Sequence, residues 1–283
     1  MPHDDDVYEL NLRTVFISDI HLGTKGCQAE VLLDFLKYAN SQTYYLVGDI
    51  VDGWRLKRSW YWPRAHNDVV QKLLRKARKG SRIIYVPGNH DEFLRHYYDL
   101  SFGAVEIKNN PTHITADGRR LLVIHGDQYD SVMMYSKWLA FLGDYAYELL
   151  LRLNQPINKI RYWLGLSHWS LSAYLKLKVK NAVNFISDFE EIVANDARDK
   201  NVDGVVCGHI HHAEIRDING ITYYNDGDWV ESCTALVEHS DGKFEILNWL
   251  EHYNLRNNTK PRSIKAAAPI DTALAPLAPS VGN

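Results

Sequence analysis

The stretch TVFISDIH, residues 14–21, joins a run of buried-strand character to an aspartate and a histidine. Four later strand-like runs also end at side chains that bind metals in proteins. The loops after the five runs contain Asp19-Ile20-His21, Gly48-Asp49-Ile50-Val51-Asp52, Gly88-Asn89-His90-Asp91, His125-Gly126-Asp127 and Gly208-His209-Ile210-His211. Because open α/β sheets bind ligands at the carboxyl ends of their strands, we expect these loops to meet at one edge.

Helical patterns alternate with the strands. Ala29–Tyr38 and Asn67–Lys79 have apolar residues at helical spacing, and Gly80 is placed to end the second helix. The later part of the chain, up to about residue 247, is rich in strands, with a hairpin turn predicted at Ser240-Asp241-Gly242. Alternating strands and helices, followed by a strand-rich end, predict an α/β layered fold with mixed sheets.

The composition excludes several classes of protein. The 283 residues are 46% apolar and 24% charged, with a net charge of −3, which gives no whole-protein reason to expect a nucleic acid partner. Three cysteines fit a reducing compartment. The acidic start does not resemble a signal peptide, and no apolar run is long enough to span a bilayer. We therefore expect a cytoplasmic protein.

The five loops offer oxygen and imidazole ligands, which suit divalent ions such as Mn, Fe, Zn, Co or Ni. Asp19 and His21 are two positions apart, as are His209 and His211, so an extended backbone would direct both members of each pair to one centre. A lone pair of this kind is more often a solvated loop. Five such loops in order, each after a strand, favour a metal site.

Together these loops resemble the calcineurin-like metallophosphoesterases, whose pattern is D-x-H, G-D-x-x-D, G-N-H-[DE], H-G-D and G-H-x-H. The resemblance implies a four-layer α/β/β/α sandwich of two mixed sheets and two divalent ions, with manganese expected. Two such ions activate water and clamp phosphoryl oxygens, so no protein nucleophile is required. The implied ligands are Asp19, His21, Asp49 and His211 for one ion and Asp49, Asn89, His125 and His209 for the other.

Three further residues of these loops have expected roles. His90 matches the family histidine that stabilises the transition state or protonates the leaving oxygen, and Asp91 would orient it. Asp52 would support a ligating imidazole. For Asp52 and Asp91, a turn or helix-cap role is an equal alternative.

A long insertion interrupts the predicted core, which comprises residues 1–130 and 201–253. We call residues 131–200 the cap and predict that it is helical. Within it, residues 131–183 have nine aromatic, seven basic and two acidic side chains. The cap is either a helical subdomain packed on itself or a receptor for acyl chains and anionic headgroups. Residues 254–283 are rich in proline and alanine, and we predict a disordered tail.

The position of the cap resembles one branch of the family, the UDP-2,3-diacylglucosamine pyrophosphatases of lipid A synthesis. The segments Asp49–Trp54 and Asp226–Ser232 also resemble that branch, although His90 and His212 stand where its best-known members have arginine. This implies cleavage of UDP-2,3-diacylglucosamine, or a similar lipid-linked or nucleotide-linked substrate, to UMP and lipid monosaccharide 1-phosphate. The enzyme would lie on the cytoplasmic face of the inner membrane, attached through the cap.

Two other functions are compatible with the motifs. The first is a soluble metallophosphatase or phosphodiesterase that acts on nucleotides or phosphoproteins. The second is a non-catalytic protein that binds the membrane surface, which the presence of every ligand position disfavours.

Overall fold

A computed structural model describes residues 9–130 and 189–259 of the chain. Their strands form two mixed sheets. The first sheet has the order β12 (Phe244–Asn248), β11 (Thr234–Glu238), β1 (Leu10–Ile17), β2 (Ala39–Val47), β3 (Arg82–Val86), β5 (Val105–Ile107) and β4 (Ser101–Phe102). The second has the order β6 (Thr112–Ile114), β7 (Arg120–Val123), β8 (Gly204–Cys207), β10 (Ile221–Asn225) and β9 (Glu214–Ile218).

Parallel strands form the centre of both sheets, and antiparallel strands complete the edges. In the first sheet β1, β2, β3 and β5 are parallel, whereas β11 is antiparallel to β1. In the second sheet β7, β8 and β10 are parallel, and β6 and β9 are antiparallel to their neighbours. The carboxyl ends of the parallel strands therefore lie at common edges, where the ligand-bearing loops begin.

Helices cover the outer faces of the two sheets. Their bounds are α1 (Ala29–Tyr38), α2 (Gly53–Arg58), α3 (Arg64–Arg78), α4 (residues 189–199) and α5 (Trp249–Thr259), with 3₁₀ turns at Glu92–Tyr97 and Asp127–Tyr129. One hydrophobic cluster joins α1, α3 and α5 to the first sheet, and another joins α4 to the second. The predicted four-layer α/β/β/α sandwich is confirmed.

The third hydrophobic cluster fills the space between the sheets. Along β1 the side chains alternate, so that Phe16 faces this inner core while Val15 and Ile17 pack beneath the helices. Phe16 stacks on Tyr45 of β2 with ring centroids 4.9 Å apart. Continuous apolar runs are thus explained by strands that are buried on both faces.

The cap and the tail fall only partly within the described residues. Residues 189–199 of the predicted cap form α4, whose Phe189, Val193 and Ala197 are fully buried in one cluster with Val205 of β8. Helix α5 continues to Thr259, inside the segment predicted as a tail. Residues 131–188 and 260–283 lie outside the described part, so a cap over them and a tail after Thr259 remain predictions. No helix of the described residues is long and apolar enough to cross a bilayer.

Glu238 at the end of β11 connects the two sheets. Its buried carboxylate accepts hydrogen bonds from Thr14 Oγ1 (2.7 Å) on β1, His113 Nε2 (2.8 Å) on β6 and the Ala116 amide (2.7 Å). Burial by itself would raise the pKa of Glu238, but these hydrogen bonds outweigh it and hold the pKa below its ordinary value of 4.5. The folded state therefore favours the ionised carboxylate.

We expect Glu238→Gln to lower the free energy of unfolding at pH 7 by about 2–3 kcal/mol, because buried donors lose a charged acceptor. Since the folded pKa is depressed, this stabilisation is present above pH 4.5 and is lost as the pH falls through the folded pKa. Urea unfolding at several pH values measures both effects. Glu245→Gln on the neighbouring strand, where the side chain is exposed, is the control. Equal effects of the two substitutions would contradict the role of Glu238.

Candidate metal centre

Five predicted ligands adopt a left-handed backbone conformation, which is uncommon for residues other than glycine. The φ angles are 48° at Asp19, 53° at His21, 54° at Asp49, 70° at His209 and 54° at His211. The prediction that extended backbone aligns the residues of each pair is therefore wrong. The chain instead turns sharply as each strand ends. Such conformations cost about 1–3 kcal/mol each and concentrate at functional sites.

Glycines in the motifs allow the loops to approach the ligands closely. A Cβ atom on Gly88 would lie 2.3 Å from Asp49 Oδ1, and one on Gly208 would lie 2.6 Å from Asp19 Oδ2. Backbone hydrogen bonds join the same loops, since the Asp19 amide donates to the Gly48 carbonyl and the His21 amide to the Asp49 carbonyl. Larger residues at the two glycines would separate the loops.

Asp19 and Asp49 lie at the centre of the resulting cluster, and both carboxylates are almost fully buried. His211 Nε2 is 3.0 Å from Asp19 Oδ1, and His125 Nε2 is 3.4 Å from Asp49 Oδ2. His21 Nε2 lies between the two carboxylates, 3.8 Å from Asp19 and 3.9 Å from Asp49. Ligand atoms lie close enough together to hold a metal ion in each of three groups. These are Asp19, His21 and His211; His21, Asp49 and His90; and Asp19, Asp49 and His125.

Two buried acceptor atoms near these groups fit a metal ion. His125 Nδ1 lies 2.9 Å from the Val47 carbonyl and donates to it, and the buried Nε2 makes no hydrogen bond. Once it has lost its proton, Nε2 is therefore the ring nitrogen that is free to bind a metal ion. Asn89 Oδ1 is also buried without a partner, and the next residue, His90, donates its amide to Asp49 Oδ1 (2.8 Å). Unpaired buried acceptors beside buried carboxylates are the donor set that a divalent cation satisfies.

His209 has a different side-chain contact from the other predicted ligands. Its amide donates to Asp19 Oδ2 (2.9 Å), and its ring centroid is 5.1 Å from that of His125. Its Nε2, however, is 2.7 Å from Asp130 Oδ1. The structure therefore brings the His209 backbone into the cluster, while its imidazole is directed to Asp130, which the sequence motifs did not indicate.

Two further acids of these loops, Asp91 and Asp52, have separate roles. Asp91 is fully buried and accepts hydrogen bonds from the Ile50 amide (2.8 Å), the Gly88 amide (2.6 Å) and the Tyr85 hydroxyl (2.5 Å). It therefore holds two ligand-bearing loops together and does not orient His90, as the sequence had suggested. Asp52 Oδ2 lies 3.1 Å from His90 Nδ1 and 3.5 Å from Nδ1 of the predicted ligand His21. Asp52 therefore contacts a ligating imidazole, as expected, and is also the carboxylate beside His90.

The cluster attracts positive charge. Burial opposes ionisation of Asp19 and Asp49, but neighbouring His211 and His125 keep the pKa of both carboxyls below their usual range. Burial likewise opposes protonation of His125, yet its contact with Asp49 raises the His125 pKa to about 10. The pKa of His211 is also raised, where the bond to Asp19 outweighs burial. Protons on these imidazoles balance the negative charge of the two carboxylates, which a bound metal ion would otherwise balance.

Ser18 and Asp226 form a buried layer behind the cluster that the motifs did not identify as part of the site. Ser18 Oγ lies 2.5 Å from Asp19 Oδ2 and 2.7 Å from Asp226 Oδ1. Burial raises the pKa of Asp226 well above its usual range. Ser18 stands at the end of β1, where the strand pattern gave it no distinguishing signal, and Asp226 lies 207 residues after Asp19 in the sequence. Only the folded chain brings them together.

We expect Asp49→Asn to abolish stabilisation by divalent ions, because Asp49 belongs to two of the three ligand groups. Manganese at about 100 times its dissociation constant would stabilise the unsubstituted protein by about 2.7 kcal/mol, measured as a rise in the melting temperature. Lowering the pH would weaken the effect, since protons compete for His125 and His211. Asp68→Asn on α3, where the side chain is exposed to solvent, is the control. An unchanged manganese response in Asp49→Asn would contradict the assignment.

Several proteins are similar to this chain. A UDP-2,3-diacylglucosamine hydrolase of Azotobacter vinelandii is 24% identical over 211 residues, covering 73% of this chain and 85% of that protein. A UDP-2,3-diacylglucosamine hydrolase of Neisseria meningitidis serogroup C is 24% identical, covering 84% and 98%. The DNA polymerase II small subunit of Methanothermobacter thermautotrophicus is 26% identical over 44% of this chain, which spans only 33% of that protein.

Among solved structures, a phosphoesterase from E. coli covers 83% of this chain and 98% of its own, with 16% identity and a TM-score of 0.39. Residues 12–213 match the family model described as calcineurin-like phosphoesterase. That range covers most of the chain and includes all five ligand-bearing loops. The chain therefore belongs to the calcineurin-like phosphoesterase family and is a metal-dependent phosphoester hydrolase.

Proposed function

We propose that the chain holds two divalent ions, manganese in the cell, and hydrolyses the pyrophosphate bond of UDP-2,3-diacylglucosamine or a similar lipid-linked substrate. The products would be UMP and a lipid monosaccharide 1-phosphate. The observation that carries this proposal is the pair of buried carboxylates, Asp19 and Asp49, surrounded by imidazoles at the ends of the strands. Asp49 would contribute to both ions, since its contacts extend to His21 and to His125.

The proposed ligand sets follow the loops. Asp19, His21, Asp49 and His211 would hold one ion, and their side chains already lie in contact. Asp49, Asn89, His125 and His209 would hold the other. The buried unpartnered atoms of Asn89 and His125 support this second set. His209 would exchange its contact with Asp130 for the ion.

Divalent ions at such a site lower the pKa of water and polarise phosphoryl oxygens. The chain itself would supply the proton for the leaving group. His90 belongs to one group of candidate ligand atoms, and Asp52 lies 3.1 Å from its Nδ1, so His90 Nε2 would face the reacting phosphoryl group. We propose that His90 donates a proton to the leaving oxygen while the Asp52 carboxylate orients the ring.

The lipid-linked substrate is supported by two observations outside the metal centre. The relatives named UDP-2,3-diacylglucosamine hydrolase align with 73% or more of this chain. The insertion at residues 131–183 combines nine aromatic side chains with seven basic and two acidic ones, which suits acyl chains and anionic headgroups. On this basis we propose that the enzyme acts at the cytoplasmic face of the inner membrane.

A second candidate function is a soluble phosphatase or phosphodiesterase that acts on nucleotides or phosphoproteins. His90 favours it, because the sequence Gly88-Asn89-His90 is the form that resembles general metallophosphatases. Under this alternative, residues 131–188 would serve stability or association between copies.

We expect His90→Ala to reduce kcat by about 10²–10⁴-fold on a substrate with a poor leaving group, because the leaving oxygen loses its proton donor. Assays with phosphate esters of p-nitrophenol and of an aliphatic alcohol measure how the loss in kcat depends on the leaving group. The loss in kcat should be smaller for the p-nitrophenol ester. His96→Ala on the exposed face of the 3₁₀ turn is the control. If His90→Ala and His96→Ala had the same activity, His90 would have no part in the reaction.

We expect turnover of UDP-2,3-diacylglucosamine to exceed that of its deacylated analogue by at least about tenfold in kcat/KM, because acyl chains add apolar contact area. Steady-state assays below the critical micelle concentration measure the ratio. Equal rates on the two substrates would exclude recognition of the acyl chains. Hydrolysis of soluble phosphoesters alone would support the second candidate function.

A further inference from the structure

A cleft of about 200 Å³ opens beside His90. It is lined by Asp52, Trp54, Arg55, Arg58 and His90, so that α2 forms most of its wall. Asp52 and His90 also contact His21, which places the cleft next to the candidate metal centre. A cleft of this size is smaller than the roughly 300–1,000 Å³ of a typical pocket for a whole ligand. It therefore suits one chemical group of a larger substrate.

Helix α2 is fixed to the metal centre at its first turn. The Asp52 side chain caps the helix by accepting a hydrogen bond from the Arg55 amide (2.7 Å), and the same carboxylate lies 3.1 Å from His90 Nδ1. Trp54 packs on the His90 ring with centroids 4.4 Å apart and donates its indole N–H to Glu92. Arg55 and Arg58 are three positions apart, so their side chains leave the helix on one side.

The two arginines have no acidic partner among residues 9–130 and 189–259. This distinguishes the cleft from a second cavity, of about 270 Å³, lined in part by Arg13 and Arg82. In that cavity Arg13 pairs with Glu238 (3.2 Å) and Arg82 with Glu106 (2.6 Å). Beside His90, by contrast, the carboxylate of Asp52 caps α2, that of Glu92 accepts a hydrogen bond from Trp54, and that of Asp49 belongs to the candidate metal centre. The guanidinium groups of Arg55 and Arg58 are exposed and available to an anion.

We propose that Arg55 and Arg58 bind a non-reacting phosphoryl group of the substrate, and so determine specificity for phosphoesters that have a second phosphate near the scissile bond. The planar guanidinium donates parallel hydrogen bonds that match a phosphate. The proposal rests on the phosphoester hydrolysis proposed above, because the bound group is positioned relative to His90. It assigns the substrate contact to α2, outside the five ligand-bearing loops.

The test uses two substrates that share a scissile bond and a leaving group. One is the p-nitrophenyl phosphodiester of a nucleoside, and the other is the same ester with an additional phosphate on the ribose. The variant is Arg55→Ala/Arg58→Ala, and Arg55→Lys/Arg58→Lys keeps the charge but removes the planar fork. The control, Lys57→Ala/Arg75→Ala, removes two exposed positive charges from α2 and α3 without changing the cleft.

For the double alanine variant we expect kcat/KM to fall about tenfold or more on the ester with the extra phosphate, and less than about twofold on the other. The double lysine variant should retain part of the preference, and the control should retain all of it. Equal losses on both esters, or an equal loss in the control, would overturn the proposal.

Binding gives a readout that does not depend on turnover. Calorimetry with inorganic pyrophosphate should show at least about tenfold weaker binding to Arg55→Ala/Arg58→Ala than to the unsubstituted protein or the control. Unchanged pyrophosphate affinity would overturn the role of the arginines. If the unsubstituted protein hydrolysed neither ester in the presence of manganese, the proposed function would fail instead, whatever the calorimetry showed.

Discussion

Two buried carboxylates of like charge are the constraint on which the arrangement of this molecule depends. An ionised carboxylate taken out of water loses several kcal/mol of hydration unless hydrogen bonds and opposite charges replace it. Asp19 receives the amide of His209 and the imidazole of His211, both from the loop after β8 in the second sheet. Asp49, in the loop after β2 of the first sheet, is in contact with His125, which follows β7 of the second sheet. The lost hydration of the two carboxylates is thus replaced only when both sheets are packed together, so the centre assembles as the chain folds.

The left-handed backbone conformation of the ligands is unfavourable in free energy, and contacts within the assembled centre offset this. Asp19, His21, Asp49, His209 and His211 all have positive φ angles. An L-residue adopts that conformation only where its surroundings determine it. Here the amide of Asp19 donates to Gly48 and that of His21 to Asp49, so each turn is held by the next loop. Gly88 and Gly208 permit the approach, because a Cβ at either position would meet a ligand carboxylate. The glycines of the motifs are therefore explained by distance to the ligands.

How far the sequence predicts this structure depends on the kind of interaction involved. Buried strands and α1 are predictable because apolar patterns are local, and α1 has the predicted bounds of Ala29–Tyr38. Strands β4, β5 and β6 have only two or three residues and were not predicted, since no periodicity develops over such lengths. The motifs also indicate which loops meet. They do not indicate which acid contacts which imidazole, because that depends on side-chain direction in left-handed turns. For this reason the contact of Asp52 with His21 agrees with the prediction, whereas the carboxylate beside His90 is Asp52 and not the expected Asp91.

The position after Asn89 illustrates how one change of residue alters what neighbouring elements must supply. An arginine there, as in the branch that this chain resembles, carries a permanent charge and binds a phosphoryl group, but it does not release a proton. An imidazole can release a proton near neutral pH and offers less to a second phosphate. With His90 at this position, the proposed roles of proton donation and anion binding would fall to different residues. The exposed arginines of α2 line the same cleft as His90, where they could balance the charge of a second phosphate. The short helix capped by Asp52 would thus place the proposed anion site beside the proposed proton donor, because the same carboxylate contacts the Arg55 amide and His90 Nδ1.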